Sequence, residues 1–390
     1  MFIFFMISCL SLFIWIIILL LPSKGYRYRE VFTIKNTENN TENSNLPFVS
    51  VVIPARNEEA VLEETLPYLL RQDYPIERWE VILVNDQSTD NTKAVAEKIQ
   101  DECSKNGLLR IIDSQPLAKG WAGKMWALHQ GIKEAKGDWI LLTDADLQYS
   151  PGLLKSLIYK TTEHPWKMFS LMARLKTDIF WEKLLIPAFL YFFKLMYPFQ
   201  LVQKKQSKVA AAAGGCILIH KETLESIGGI QAIQGALIDD ISLAKVVKKA
   251  GNEICLMDAP NLKSMRGYDT LSGIWNMVAR SAFTELKYSY LRLLGCILIM
   301  LLMFAIPLVS IMMPIFSLAN YSVATAICGF LTWILITCTY APSIFYFHLS
   351  CIWSISLPFG ALLYLCMTID SAFRYLLGTK ATWKGRDYSK

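Results

Sequence analysis

The sequence predicts an α/β domain on a mostly parallel, Rossmann-like sheet, joined to transmembrane helices. Three observations carry this expectation. Charge-free apolar runs lie at both ends of the 390-residue chain. Between them, β-rich segments alternate with segments of helical spacing. Polar and acidic residues gather where those β-rich segments stop.

The ends come first. The chain is 53% hydrophobic and 18% charged, whereas a soluble domain carries about a quarter charged residues. No Lys, Arg, Asp or Glu occurs from Met1 to Ser23, or from Leu293 to Ile369, a run of 77 residues. A spanning helix needs roughly 20 apolar residues. Residues 1–23 therefore read as one anchor, and 292–369 as membrane helices making two or three spans. The first run lacks a basic leading segment and a small-x-small cleavage site, so an uncleaved anchor is expected instead of a signal peptide. Lys24, Arg27 and Arg29 follow it, which by the positive-inside rule places the middle of the chain in the cytoplasm. The basic tail, 370–390, is expected on the same side. That requires an even number of complete C-terminal crossings, with Pro307, Pro314, Pro342 and Pro358 as points where a helix can break and re-enter.

The middle opens with a linker, 24–47, whose stretch 36–45 is polar and without apolar periodicity. A domain over 48–291 follows. Phe48–Ala55 is β-rich and is followed by a helical segment that Asn57 can cap. Trp79–Asp86 is a second strand, followed by a helix through Ile99 that Thr89 or Asp90 can cap. Leu108–Ser114 is a third strand, Trp121–Ala135 a third helix, and Asp138–Asp146 a strand with an acidic end. Such alternation predicts a sheet covered by helices. Ligands bind beyond the carboxyl ends of such strands. Arg56-Asn57-Glu58, Asn85-Asp86 and Asp144-Ala145-Asp146 should therefore meet in one crevice. Near 180–203 an apolar, aromatic stretch is interrupted by Lys183, Lys194 and two prolines. It is expected to form interfacial helices with their lysines reaching headgroups; the competing reading is a packing arm for the C-terminal helices.

Charge and cysteine usage exclude other classes. The net charge is +6, but the chain before Arg292 holds 33 basic against 31 acidic residues. No basic stripe suggests nucleic acid. The nine cysteines form no CxxC pair and five lie in the C-terminal run, which predicts reduced thiols instead of zinc ligands or disulfides.

The chemistry-bearing residues sit at strand ends and helix starts. Asp144 and Asp146, one residue apart, can both turn toward a hard cation such as Mg2+ or Mn2+, which keeps phosphate oxygens in its shell. Lys124 can reach a diphosphate as a point charge, or be an ordinary surface lysine. Asp86 can accept from a base N–H, or belong to a capping loop. Asp239 and Asp240 precede a helical segment, where the dipole favours carboxylates. They can cap it, or supply a general base for an acceptor hydroxyl. Direct displacement by that hydroxyl inverts the anomeric centre.

PARNEE, VNDQSTDNT, GKMWALHQGI, LLTDAD, GGCILIHKETLESIGG and the IDD turn stand in the order and approximate spacing of family-2 glycosyltransferases of the GT-A fold. Over roughly residues 48–260 the chain resembles that family. AKGWAGKMWALHQG, the terminal TWKGRDY and the flanking apolar runs are most similar to the hopene-associated and carotenoid-type members. The resemblance implies a nucleotide-sugar donor and a lipid-type acceptor. It implies that Ala55, Arg56, Glu58 and Asp86 line the nucleoside site and that Lys124 lies near the diphosphate. Asp144 and Asp146 would hold metal and donor, Asp240 would be the base with Asp239 beside it, and Gly214-Gly215 would let backbone pass close to the donor sugar. Processive synthases of the family carry Q-x-x-R-W. Here Met277-Val-Ala-Arg280-Ser281 keeps only the arginine, which disfavours polymer extrusion; Arg266 and Arg280 remain candidates for phosphate contact. A transporter or flippase is disfavoured because His348 is the sole ionisable group in the long apolar run. A binding-only pseudoenzyme is disfavoured by the intact acidic set.

Overall fold

The computed structural model describes residues 2–21, 25–28, 30–34, 46–104, 107–316, 321–379, 382–384 and 386–387. The polar stretch expected as a linker, 36–45, lies outside them. The chain separates into two compact units. One comprises Glu30–Lys176, Phe199–Gly267 and Ala381–Lys390, the other Met1–Arg29, Thr177–Pro198 and Tyr268–Lys380.

The first unit is built on an eight-stranded sheet. Its strands are β1 Val49–Ala55, β2 Trp79–Asn85, β3 Leu109–Asp113, β4 Trp139–Thr143, β5 Leu147–Tyr149, β6 Met168–Arg174, β7 Cys216–His220 and β8 Ile254–Ser264, in the order β3-β2-β1-β4-β7-β6-β8-β5. The first four run parallel. Beyond them β7 lies antiparallel to both β4 and β6, β8 is parallel to β6, and β5 closes the edge antiparallel. The sheet is thus α/β and parallel where the expected strand–helix units occur, and mixed beyond. Every residue of β1, β2 and β4 is buried, as in parallel strands covered on both faces. Pro54 is tolerated in a central strand because β1 pairs with β4 only as far as Val52, so no ladder bond on that side is lost. A short hairpin, β9 Thr382–Trp383 with β10 Arg386–Asp387, also belongs to this unit.

The helices, in chain order, are α1 Phe2–Leu20, α2 Glu59–Leu70, α3 Thr92–Cys103, α4 Gly123–Glu134, α5 Leu153–Glu163, α6 Phe180–Met196, α7 Phe199–Gln203, α8 Lys221–Ser226, α9 Asp239–Lys249, α10 Leu271–Glu285, α11 Tyr290–Met300, α12 Ile306–Phe316, α13 Ser322–Tyr346 and α14 Leu357–Leu376. Asn57 does not cap α2. It adopts a left-handed φ of 51°, and its Oδ1 instead accepts the Thr89 amide at 2.9 Å, tying the β1 end to the β2 loop. Asp90, just before the α3 N-cap, accepts the Thr92 amide at 3.0 Å.

In the second unit, among the described residues, four helical stretches are long and apolar enough to cross a membrane: Phe2–Leu20, Tyr290–Ile315, Ser322–Tyr346 and Cys351–Leu376. Three therefore fall in the C-terminal run. The stretch near 180–203, expected to form interfacial helices, is helical over Phe180–Met196 and Phe199–Gln203. Phe180–Met196 is a single helix, its start held by Glu182, whose carboxylate accepts the Asp178 and Ile179 amides. Leu184, Leu185, Ala188 and Tyr191 are buried in one core with Trp15, Ile336, Tyr340 and Ala361. Lys194 does not reach outward; it is buried, with Nζ 3.4 Å from the centre of the Tyr28 ring. Within its unit this helix packs against other helices, as a packing arm would.

Candidate active site

The parallel half of the sheet brings the ends of β1, β2 and β4 to one side. At the end of β2, Asp86 is fully buried. Its amide donates to the Ala55 carbonyl at 2.7 Å, and Ser114 Oγ donates to its Oδ1 at 2.8 Å. Arg56 donates through Nη1 to the carbonyls of Asp86 and Gln87, at 2.6 and 2.8 Å. The β1 and β2 ends are therefore locked together through backbone, which fixes the direction of the Asp86 carboxylate.

Glu58 and Asp146 are joined by one guanidinium. Arg266, two residues past β8, donates Nη2 to Glu58 Oε2 at 2.5 Å and Nε to Asp146 Oδ2 at 2.8 Å. Burial pushes the Glu58 carboxyl above the usual carboxylate range, opposed by Arg266 and by Lys384, whose Nζ lies 3.2 Å from Glu58 Oε2.

The second cluster forms around Lys124 in the first turn of α4. Its Nζ is 2.8 Å from Asp144 Oδ1 and 3.5 Å from Asp239 Oδ2, and it donates to the Gly214 carbonyl at 3.3 Å. Burial alone would lower its pKa, but the Asp144 and Asp239 carboxylates outweigh that and hold it charged. Asp144 is pushed upward by burial, with Lys124 pulling against it.

Asp240 stands in the first turn of α9. Its Oδ2 accepts the Gly214 amide at 2.9 Å and its Oδ1 accepts the Ile241 amide at 2.7 Å. Burial, and then the neighbouring Asp239 carboxylate, push Asp240 up to about 7. Glycine at 214 eases this approach, since an added Cβ would fit tightly, 3.2 Å from Asp240 Oδ2 and 3.3 Å from its Cβ. At Gly215 an added Cβ would meet Leu147 Cδ1 at 3.2 Å and stand 3.7 Å from Asp144 Oδ2. The glycine pair thus makes room for the acidic side chains. Lys124, Asp144, Gly214, Asp239 and Asp240 line one pocket, closed by apolar residues such as Leu142 and Ile233.

Of the residues singled out from sequence, Ala55, Arg56, Glu58, Asp86, Lys124, Asp144, Asp146, Gly215, Asp239, Asp240 and Arg266 all lie on this side of the sheet unit. Arg280 belongs to the other unit, on the exposed side of α10. Two neighbours escaped sequence reasoning. Ser114 directly follows β3 and had a positional signal, whereas Lys384 had none beyond the terminal TWKGRDY.

For a cation, no group of three or more His, Cys, Asp or Glu side chains assembles among the described residues. Asp144 and Asp146 nonetheless fit one in donor chemistry. Mg2+ is commonly held by one or two carboxylates and completed by substrate phosphate. Each carboxylate already faces a positive group, Lys124 or Arg266, so positive charge is what this corner accommodates.

Comparison with known proteins agrees with this geometry. The profile of Glycosyl transferase family 2 matches residues 50–228. The Bacillus subtilis protein named Probable glycosyltransferase YdaM is 36% identical over 137 residues, 34% of this chain and 31% of that protein. Beta-monoglucosyldiacylglycerol synthase of Nostoc sp. is 34% identical over 113 residues, 29% of this chain and 23% of the synthase. The chain thus spans less than a third of the length of these curated relatives. In fold it is similar to the mannosyltransferase PcManGT from Pyrobaculum calidifontis, solved in complex with GDP-Man and Mn2+. That similarity covers 97% of this chain and 100% of that one, with a TM-score of 0.55 and 16% identity. Residues 50–228 thus match the profile of a glycosyl transferase family 2 domain, and the sheet that carries them has the GT-A fold.

Proposed function

We propose that the protein transfers one sugar, with inversion, from a nucleotide-sugar to a hydroxyl of a lipid-type acceptor at the cytoplasmic face of a membrane. The carrying observation is Asp240, an acid tuned to about 7 that opens on the same pocket as Asp144 and Lys124. In this reading Asp240 Oδ takes the proton of the acceptor hydroxyl as its oxygen bonds to the anomeric carbon. The bond from that carbon to the donor phosphate breaks, and the nucleoside diphosphate leaves with the electron pair. The Gly214 and Ile241 amides hold Asp240 in place. Lys124 moves its charge from Asp144 toward the diphosphate, while Arg56, Glu58 and Asp86 line the nucleoside side with Ala55. A Mg2+ or Mn2+ ion held by Asp144 and Asp146 would offset the charge that develops on the departing diphosphate.

A lipid acceptor is supported by helices long and apolar enough to cross a membrane and by the diacylglycerol named in the Nostoc synthase. AKGWAGKMWALHQG and TWKGRDY favour a hopene-associated or carotenoid-type enzyme among lipid glycosyltransferases. The cytoplasmic side rests on the basic residues that follow the first apolar run. The test is incubation of detergent-purified protein with labelled nucleotide-sugars and a membrane lipid extract. The expected result is label in an organic-soluble glycolipid with the anomeric configuration inverted. Label appearing only in a water-soluble polymer would overturn the proposal.

A further inference from the structure

The C-terminal hairpin reaches the β1 end across more than 300 residues of sequence. Lys384 opens the turn between β9 and β10 with a φ of 47°, a left-handed conformation uncommon for a side chain of this size. Such strain persists where surrounding contacts over-determine it, and three contacts do so here. Lys384 Nζ lies 3.2 Å from Glu58 Oε2 and donates to the Asn57 carbonyl at 3.0 Å. The Lys384 carbonyl accepts from Arg56 Nε at 3.1 Å. The lysine side chain is 22% exposed and that of Glu58 only 9%, so this pair is screened less than a surface pair.

Each contact falls on a consecutive residue of Arg56-Asn57-Glu58. Arg56 ties β1 to the Asp86 carbonyl, Asn57 holds the Thr89 amide, and Glu58 holds Arg266 against Asp146. The hairpin thus grips the segment through which the nucleoside side and the Asp146 side of the site are connected. Without Lys384, Glu58 would face Arg266 alone, and Arg266 would be free to share itself differently between Glu58 and Asp146.

We infer that the C-terminal hairpin is a working part of the donor site, with Lys384 as a positioning residue that acts through Glu58 and Arg56 on a bound nucleoside diphosphate. This rests on the nucleotide-sugar reading above.

Lys384→Met in the full-length protein should raise donor KM about tenfold, with kcat and acceptor KM within about threefold, the pattern of a lost binding contribution. Lys384→Arg should restore donor KM. If Lys384 acts through Glu58, the double variant Lys384→Met/Glu58→Gln should bind UDP or GDP no more weakly than the worse single variant, as coupled neighbours do. On the unmutated protein, saturating nucleotide should slow tryptic cleavage after Lys384. Donor KM and nucleotide affinity unchanged in Lys384→Met, additive effects in the double variant, or cleavage indifferent to nucleotide would each overturn the inference. Unmutated protein that binds none of a panel of nucleotides and nucleotide-sugars would instead overturn the functional reading beneath it.

Discussion

Asp240 receives two backbone amides, yet burial and Asp239 leave it near neutrality instead of in the acidic range. A base must be ionised to accept a proton, so kcat/KM should fall as pH drops below about 7 and level off above it. Asp239→Asn removes a like charge that raises Asp240, so the acidic limb should move to lower pH; a pH–rate profile for both proteins checks the sign. Asp240→Asn should cut transfer by about 10² to 10⁴ while calorimetry shows nucleotide binding retained. Turnover near the unmutated level would remove Asp240 from the role. Asp144→Ala and Asp146→Ala should weaken donor binding, and EDTA should weaken binding to the unmutated protein reversibly. Donor affinity in metal-free buffer equal to that with Mg2+ or Mn2+ would contradict the cation assignment.

At the scale of elements, α4 matters most, because it delivers Lys124 from its first turn while its middle lies on the sheet. Gly131 permits that close approach: an added Cβ would come within 2.4 Å of Val52 Cγ1 and 2.9 Å of Val84 Cγ2. Gly131→Ala should therefore destabilise the protein by about 1–3 kcal/mol, as overpacking of a close-packed core does. The helix must lift, so Lys124 should also be displaced and donor affinity should fall. A lower melting temperature together with weaker nucleotide binding is the expected result; an unchanged melting temperature would mean that the core yields elsewhere. The elements most legible in the sequence were those with a local cause. β1, β2 and β4 appear as apolar runs because both faces are buried, and α9 begins at the acidic pair. The role of the helix at Phe180 was less legible, because its apolar width fits either an interface or a protein core.

For the whole molecule, the return of the chain constrains its membrane path. Residues 199–267 and the hairpin at 382–387 belong to one compact unit, and Lys384 contacts Glu58 within it. If the intervening helices cross a bilayer, they must do so an even number of times, although three stretches there are long enough to span. One of the three is then re-entrant or interfacial. A cysteine placed at Ser389 in a cysteine-free background should resist an impermeant maleimide added to intact cells and react after lysis. Ready labelling of intact cells would show three full crossings and place the tail outside.

The α/β character of the middle segment, the apolar ends, and the acids at strand ends and helix starts are all legible in the chain's own order of residues. Those features follow from side-chain period, capping and burial within about 20 residues, and each leaves a local pattern. Only tertiary packing places Arg266 between Glu58 and Asp146, sets the Gly214 amide on Asp240, and returns Lys384 to the β1 end. Closing a long loop costs little more than closing a short one, so no spacing in the chain records which distant charges will meet. Their meeting depends on strand order and helix packing, and on the relief of burying a carboxylate only where a cation already waits.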